Sequence, residues 1–184
     1  MKNYIVTGCA GMIGWRVSEL LLSNGAKVIG IDDLNQAYDT RIKVWRLSEL
    51  KKHPSFEFYE KDITQVDELE NLLRAESKSN DFAALIHLAA RAGIRQSIID
   101  PRDYYSVNLN GTLNLLEICN ELDIKKFVLA STSSVYGHGT ASPSNDNRLS
   151  EDLRTDTTIS PYAASKKAAE VCAYTFHHLY GLDI

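Results

Sequence analysis

The sequence predicts an α/β fold in which a parallel β-sheet is covered by helices on both faces. Short apolar runs alternate along the 184 residues with stretches whose apolar residues recur at helical spacing. The apolar runs are continuous rather than alternating with polar residues, which indicates strands that are buried on both faces. Neither an internal repeat nor a low-complexity segment interrupts this order, so we expect a single domain over residues 1–184.

Five apolar runs bounded by glycine, proline or polar residues are the predicted strands. They are placed at residues 3–7, 26–31, 56–60, 83–89 and 127–130. The last three residues, 182–184, resemble the start of a further strand. Because helical patterns separate these runs, consecutive strands are expected to run parallel to one another.

Amphipathic helices are predicted between the strands. The first predicted helix has an apolar face formed by Ile13, Val17, Leu20 and Leu21, and it ends before Gly25. Later helices are predicted near residues 40–52, from Val66 to Leu73, over 102–122 and over 161–180. Ser160 and Pro161 suit the N-cap and first residue of the last helix, and the polar segment 137–158 before it is too long for a simple connection.

Composition restricts the classes of function. Twenty basic and 24 acidic side chains give a net charge of −4, which argues against a nucleic-acid-binding protein. Three cysteines without CxxC spacing, and an N-terminus unlike a signal peptide, favour a reduced protein of the cytoplasm. No apolar run approaches the ~20 residues that would span a membrane. No cluster of histidine and cysteine residues indicates a metal site.

A glycine-rich turn after the first strand predicts a dinucleotide site. Gly8, Gly11 and Gly14 open the first helix, and Asp32 ends the second strand 18 residues further on. Such a turn brings backbone N–H groups to a pyrophosphate at the helix N-terminus. Asp32 would accept hydrogen bonds from the adenosine ribose and repel a 2′-phosphate, which favours NAD over NADP. A purely structural role of the glycines, in a tight strand-to-helix turn, would not explain why an acidic residue stands at position 32.

Three side chains form a candidate catalytic group. Tyr162 and Lys166 are four residues apart, and this spacing places them on one face of the last helix. A neighbouring ammonium favours the phenolate and lowers the pKa of a tyrosine, so that Tyr162 can accept a proton from a substrate hydroxyl. Lys166 would also hold the nicotinamide ribose. Thr132 follows the fifth strand, at the sheet edge where such folds bind ligands, and its hydroxyl would share the substrate's hydrogen bond.

These residues together resemble the extended short-chain dehydrogenase/reductase family, specifically its nucleotide-sugar epimerases and dehydratases. The matching segments are TGCAGMIG at 7–14, IDDLN at 31–35, KDIT at 61–64, HLAA at 87–90, SVNLNGTLNLLE at 106–117, ASTSSVYG at 130–137 and YAASK at 162–166. The resemblance implies a Rossmann-like, doubly wound parallel sheet that binds NAD. Besides the glycines, Asp32, Tyr162 and Lys166, it implies that the cofactor is held by Met12, Ile13, Asp33, Asn35, Asp62, Ile63, Leu88, Ala89, Ala90 and Asn108.

Within that family, the segments 34–50, 89–101 and 160–182 look most like those of UDP-glucuronate 4-epimerases. Related dehydratases and decarboxylases carry an acidic residue just before Val-Tyr-Gly, where this chain has Ser133 and Ser134. The resemblance therefore implies an epimerase in which Tyr162 takes the proton of the sugar 4-hydroxyl while NAD takes the hydride. Ser133, Ser134 and Arg95 are the candidate contacts to the UDP-sugar.

Two alternatives remain open from the sequence. One is a nucleotide-sugar dehydratase or decarboxylase of the same family, and the other is a non-catalytic NAD-binding module. The resemblance also implies that the last strands and the substrate-binding domain lie outside this chain. Helices 102–122 and 161–180 resemble those that form a homodimer interface in the family, so a homodimer is expected.

Overall fold

The computed structural model describes residues 2–137 and 149–184. The strands are β1 (Asn3–Thr7), β2 (Lys27–Asp32), β3 (Phe56–Glu60), β4 (Phe82–His87) and β5 (Phe127–Leu129). The helices are α1 (Met12–Ser23), α2 (Thr40–Leu50), α3 (Val66–Ser77), α4 (Ile94–Ile99), α5 (Pro101–Tyr105), α6 (Gly111–Glu121) and α7 (Pro161–Tyr180). A π-helical turn (Ser106–Asn110) joins α5 to α6, and a 3₁₀ turn (Ser133–Tyr136) follows β5.

The five strands form one parallel sheet in the order β3-β2-β1-β4-β5. Chain progression moves outward from β1 to β3 and then crosses back to β4 on the other side of β1. In such sheets the ligand site lies outside the carboxyl ends of the strands, where the order reverses. The predicted doubly wound parallel sheet is therefore confirmed, and the topology directs attention to the ends of β1 and β4.

Two apolar clusters cover the two faces of the sheet. Ile5 belongs to the cluster formed with α3, α6 and α7, while the next residue, Val6, belongs to the cluster formed with α1 and α2. Both residues are fully buried. Because successive side chains of a strand point to opposite faces, burial on both faces requires continuous apolar runs. This is the reason that the strands were recognisable in the sequence.

The buried face of α1 differs from the predicted one. Ile13 and Leu20, expected to face the core, are 61% and 64% exposed, whereas Gly14, Ser18 and Leu22 are buried. The reason is the close packing of Gly14, whose missing Cβ would lie 2.1 Å from the carbonyl oxygen of Gly8. Contact with the glycine turn sets the rotation of the helix, and the apolar pattern does not.

Several other predicted boundaries shift by one to four residues, and the second strand, predicted at 26–31, is Lys27–Asp32. The helix expected over 102–122 is divided by the π-helical turn into α5 and α6. The fourth strand ends at His87 rather than at residue 89, because the Leu88 and Ala89 N–H groups donate to the Thr7 side chain at 3.2 Å. The fifth strand ends at Leu129 rather than at residue 130.

Residues 182–184, expected to begin a further strand, form one parallel β-bridge, between Asp183 and Lys126. Part of the predicted polar segment 137–158, residues 138–148, lies outside the described residues. Over the described ranges, no helix has the length and apolar character needed to cross a membrane.

Candidate cofactor and active site

A cavity of about 230 Å³ opens at the carboxyl ends of β1, β2 and β4. Ten of the 16 residues predicted to hold the cofactor line it: Gly8, Gly11, Asp32, Asp33, Asn35, Asp62, Ile63, Leu88, Ala89 and Ala90. The sequence argument missed the other residues that line the cavity: Ile31, Ala37, Tyr38, Lys43, Lys61, Ala92 and Val107. The position of Lys43 could have been predicted from the sequence. Lys43, Leu47 and Leu50 are spaced so that they lie on one face of a helix, and this face is buried.

The glycine turn leaves the backbone no room for side chains. Gly8 has a φ of +70°, and a Cβ on it would lie 2.7 Å from the Ala89 nitrogen. Gly11 is the N-cap of α1, with extended dihedral angles and no side-chain cap for the first N–H groups. Uncapped N–H groups at a helix N-terminus suit a pyrophosphate, so the turn fits a dinucleotide. The side chains of Met12 and Ile13 are exposed at the start of the same helix.

The Asp32 carboxylate is nearly enclosed. Oδ2 accepts from the Ala10 N–H at 3.1 Å, and Oδ1 accepts from the Leu34 N–H at 2.9 Å. The Lys43 ammonium donates to Oδ1 at 3.3 Å. The carboxylate therefore carries its own cation, which the sequence argument about a 2′-phosphate did not include.

Side-chain hydrogen bonds hold the segments around Asp62 and Asp33 in the cavity wall. The Asp62 side chain accepts from the Thr64 N–H at 2.8 Å, and the Ile63 carbonyl accepts from the Asn114 side chain at 2.9 Å. On the other side, Asp33 accepts from the Asn35 N–H at 3.1 Å. These bonds organise the loops after β2 and β3 along the cavity.

His87, at the end of β4, belongs to a buried chain of hydrogen bonds. Thr7 Oγ1 lies 2.7 Å from Nδ1, and Thr112 Oγ1 lies 3.1 Å from Nε2. Thr112 donates its own hydrogen to the Asn108 carbonyl at 2.6 Å, so the imidazole Nε2–H donates to Thr112. Burial, and to a smaller extent the nearby charge of Lys166, lower the pKa of His87 to about 3. His87 is thus a neutral core histidine.

Asn108 lies on the π-helical turn and is fully buried. Its Oδ1 accepts from the Arg91 N–H at 2.8 Å, and its Nδ2 donates to the Arg91 carbonyl and to Ser165 Oγ, both at 3.0 Å. The carboxamide is occupied by protein groups, so any role of Asn108 in holding the cofactor is indirect. The bond to Ser165 ties the segment after β4 to α7.

The candidate catalytic side chains lie on α7 and on the 3₁₀ turn that packs against it. Tyr162 is half-buried, with its ring edge-to-face against Tyr104 at a centroid distance of 6.1 Å. Lys166, one turn later, is buried, and this burial lowers its pKa to about 8. Thr132 caps the 3₁₀ turn by accepting from the Ser134 N–H at 3.2 Å.

Neither the candidate catalytic side chains nor the candidate substrate contacts line the cavity. Ser133 is exposed, Ser134 is half-buried, and both lie on the 3₁₀ turn. Arg95 is exposed on α4 and is not among the residues lining the cavity. In the part of the chain that the structure describes, no group of histidine, cysteine and carboxylate side chains could hold a metal ion.

The fold and this site define a dinucleotide-binding protein of the Rossmann type. Residues 4–184 match the model of the NAD dependent epimerase/dehydratase family, and the chain belongs to that family. The predicted cofactor, NAD, is the cofactor of the family.

Relatives of known name agree with this assignment. The chain is 53% identical to a UDP-glucuronate 4-epimerase of Thermodesulfobacterium geofontis over 184 residues, 100% of this chain and 54% of the relative. It is 41% identical to UDP-glucuronate 4-epimerase 4 of Arabidopsis thaliana, covering 98% of this chain and 39% of the relative. The chain thus spans about half the length, or less, of these curated relatives.

A solved structure of the same kind superimposes closely. UDP-glucuronic acid 4-epimerase from Bacillus cereus, in complex with UDP-glucuronic acid and NAD, has a TM-score of 0.84 and 32% identity to this chain. The match covers 98% of this chain and 54% of the Bacillus protein. The likeness therefore extends over nearly all of the present sheet and helices.

Proposed function

We propose that this chain supplies the cofactor site and the reacting side chains of a NAD-dependent UDP-sugar 4-epimerase, with UDP-glucuronate as the substrate. The observation that carries the proposal is the buried ammonium of Lys166, one helical turn after Tyr162 and close enough to His87 to lower the pKa of that imidazole. The proximity of Lys166 to His87, at the end of β4, supports a position of the tyrosine–lysine pair near the carboxyl edge of the sheet. The two UDP-glucuronate 4-epimerases named above, which align with 100% and 98% of the chain, support the choice of substrate.

Each part of the cavity would receive a different part of NAD. The N-terminus of α1 would take the pyrophosphate, Asp32 the adenosine ribose, and the segment around Asp62 and Ile63 the adenine. Lys166 would hold the nicotinamide ribose. When bound, NAD supplies the chemistry of accepting a hydride from the sugar C4 carbon and returning it to the opposite face.

Tyr162 would handle the proton of the same step. Its phenolate oxygen would take the proton from the sugar 4-hydroxyl as the C4–H bond breaks, and would return it when that bond re-forms. Lys166 lies one helical turn further along α7, on the same face of that helix as Tyr162. The Thr132 hydroxyl would share the hydrogen bond to the sugar oxygen and orient it toward the tyrosine.

Substrate contacts in this chain are proposed at Ser133, Ser134 and Arg95. The two serines stand where a dehydratase or decarboxylase of the family carries an acid, so this chain has no group there for the extra proton transfer. The epimerase therefore fits the residues better than the dehydratase alternative. Intact Tyr162 and Lys166 also favour an enzyme over a non-catalytic NAD-binding module.

Three further expectations remain predictions. The assignment of residues 1–184 to an NAD-binding domain, with a separate substrate domain, agrees with the length of the relatives. Pairing into a homodimer through helices 102–122 and 161–180 agrees with exposed apolar side chains on α7, including Val171 and Leu179. Location in the cytoplasm rests on the sequence argument alone.

The test is incubation of the protein that contains this chain with NAD and UDP-glucuronate, followed by chromatographic separation of the epimeric sugars. We expect Tyr162→Phe to lower turnover by about 10²–10⁴-fold, because general acid–base catalysis contributes a factor of this size. NAD affinity, measured by calorimetry, should fall far less than turnover, because Tyr162 is only one of the residues proposed to hold the cofactor. Tyr174→Phe, on an exposed tyrosine of the same helix, is the matched control and should leave turnover unchanged. Equal turnover of the two variants would show that Tyr162 is not the base.

A further inference from the structure

Helix α2 carries a lysine at a position that faces the core. Lys43, Leu47 and Leu50 lie on one side of this helix, and all three are buried. The Lys43 ammonium lies 3.3 Å from Oδ1 of Asp32 and 4.0 Å from Oδ1 of Asp33. The side chains of Lys43 and Asp32 are each only 5% exposed. Such a pair persists because either charge, buried alone, would be strongly unfavourable.

Tyr38 and Arg46 complete the surroundings of this lysine. Lys43 Nζ lies 5.4 Å from the centre of the Tyr38 ring. Arg46 Nη1 donates to the Tyr38 hydroxyl at 3.0 Å and to the Ala10 carbonyl at 3.1 Å. The ring and the guanidinium hold the lysine in the wall of the cavity, where it lies beside Asp32 and next to the glycine turn.

We propose that Lys43 reduces the selectivity of this site for NAD over NADP, because its ammonium compensates the charge of Asp32. A lone carboxylate would strongly repel a phosphate on the 2′-oxygen of the adenosine ribose, whereas a carboxylate paired with an ammonium repels it less. Both groups line the same cavity, so the ammonium attracts the added phosphate directly. Lys43 thus narrows the preference for NAD over NADP that Asp32 alone would produce. The inference rests on the proposed placement of the adenosine ribose at Asp32.

The experiment is calorimetric titration of NAD and NADP into the wild-type protein and Lys43→Gln. Glutamine retains an N–H donor for the Asp32 carboxylate and removes the charge. We expect the ratio of the Kd for NADP to the Kd for NAD to rise about tenfold, because the 2′-phosphate loses its cation. Lys43→Arg keeps the charge and should keep a ratio close to that of the wild type. Lys52→Gln makes the same charge change at an exposed lysine just beyond α2 and should leave the ratio unaltered.

An unchanged or lower ratio in Lys43→Gln overturns the proposal, even if both cofactors bind more weakly, since equal weakening indicates a structural role only. Should circular dichroism show that Lys43→Gln is unfolded, Lys43→Met fills similar space without charge and gives the same comparison. If the wild-type protein did not bind NAD, both the proposed position of the adenosine ribose at Asp32 and the role of Lys43 would be wrong. An unaltered ratio with NAD binding intact removes the selectivity role of Lys43 alone.

Discussion

Gly14 occupies a helical position at which alanine would ordinarily be the better residue. Alanine is favoured over glycine in a helix interior by about 1 kcal/mol. Here, however, a Cβ would lie 2.1 Å from the Gly8 carbonyl oxygen and 2.9 Å from the Cys9 Cα. Both contacts are with backbone atoms of the turn that would receive the pyrophosphate, so neither can move aside without changing that turn.

Gly14→Ala is therefore expected to destabilise the fold by about 1–3 kcal/mol, the usual cost of overpacking, in spite of the better helix propensity. It should also weaken NAD binding. Urea unfolding and calorimetric titration measure the two effects. Gly25→Ala is the matched control, because nothing lies within 4 Å of its added Cβ and only its φ of +77° is unfavourable. Unaltered NAD affinity in Gly14→Ala would contradict the role given to this turn.

At the scale of elements, the π-helical turn lies between α5 and α6 at the place where Asn108 meets α7. A π-helical turn inserts an extra residue into the helical ladder, and such turns occur frequently at functional sites. Through Asn108, this turn bonds to both backbone polar groups of Arg91 and to the Ser165 hydroxyl. Ser165 in turn donates to the Tyr162 carbonyl at 2.8 Å. Three elements around the proposed site are thus joined by one buried side chain.

Asn108→Ala should lower the free energy of unfolding by about 2–4 kcal/mol, because it leaves the N–H and carbonyl groups of Arg91 without their side-chain partner and removes the donor to Ser165 Oγ. Chemical denaturation followed by circular dichroism measures the change. Asn110→Ala, on the same turn but exposed, should differ from the wild type by no more than about 0.5 kcal/mol. A similar loss in both variants would mean that helix propensity, not the buried contacts, determines the effect.

At the scale of the whole molecule, the chain from Thr7 through His87 to Thr112 joins the two central strands to α6. The neutral imidazole is required at this place, since Nδ1 must accept from Thr7 and Nε2 must donate to Thr112. Protonation would add a buried charge close to Lys166. The global stability of the protein is therefore linked to the titration of His87.

The pKa of His87 is about 3 in the folded protein, below the ordinary value of 6.5. The unfolded chain consequently binds the proton first as the pH falls. The stabilisation from neutral His87 should be complete above about pH 6.5 and be lost toward pH 3, with a slope of at most about 1.4 kcal/mol per pH unit. Urea unfolding at several pH values, compared with that of His87→Gln, isolates this contribution from that of the carboxylates. If the difference in unfolding free energy between the two proteins did not vary over this range, the assignment to His87 would be wrong.

The sequence alone determined the parallel sheet, the glycine turn at the end of β1 and the acidic residue at the end of β2. Strands buried on both faces must be continuously apolar, and a turn that leaves no space for a Cβ must be glycine, so these features leave local patterns. The family of the protein followed from the same motifs, and the match over residues 4–184 confirmed it.

Only the tertiary structure decided the rotation of α1, the division of the helix over 102–122 and the partners of the buried polar groups. Lys43 pairs with Asp32 across 11 positions, Asn108 bonds to Ser165 across 57, and Thr7 bonds to His87 across 80. Such contacts depend on where whole elements pack, and no spacing within one helix or strand encodes them. A buried charge or amide needs a polar partner, and that partner can come from a distant part of the chain. For this reason the pairing of Lys43 with Asp32 was identified only in the folded chain.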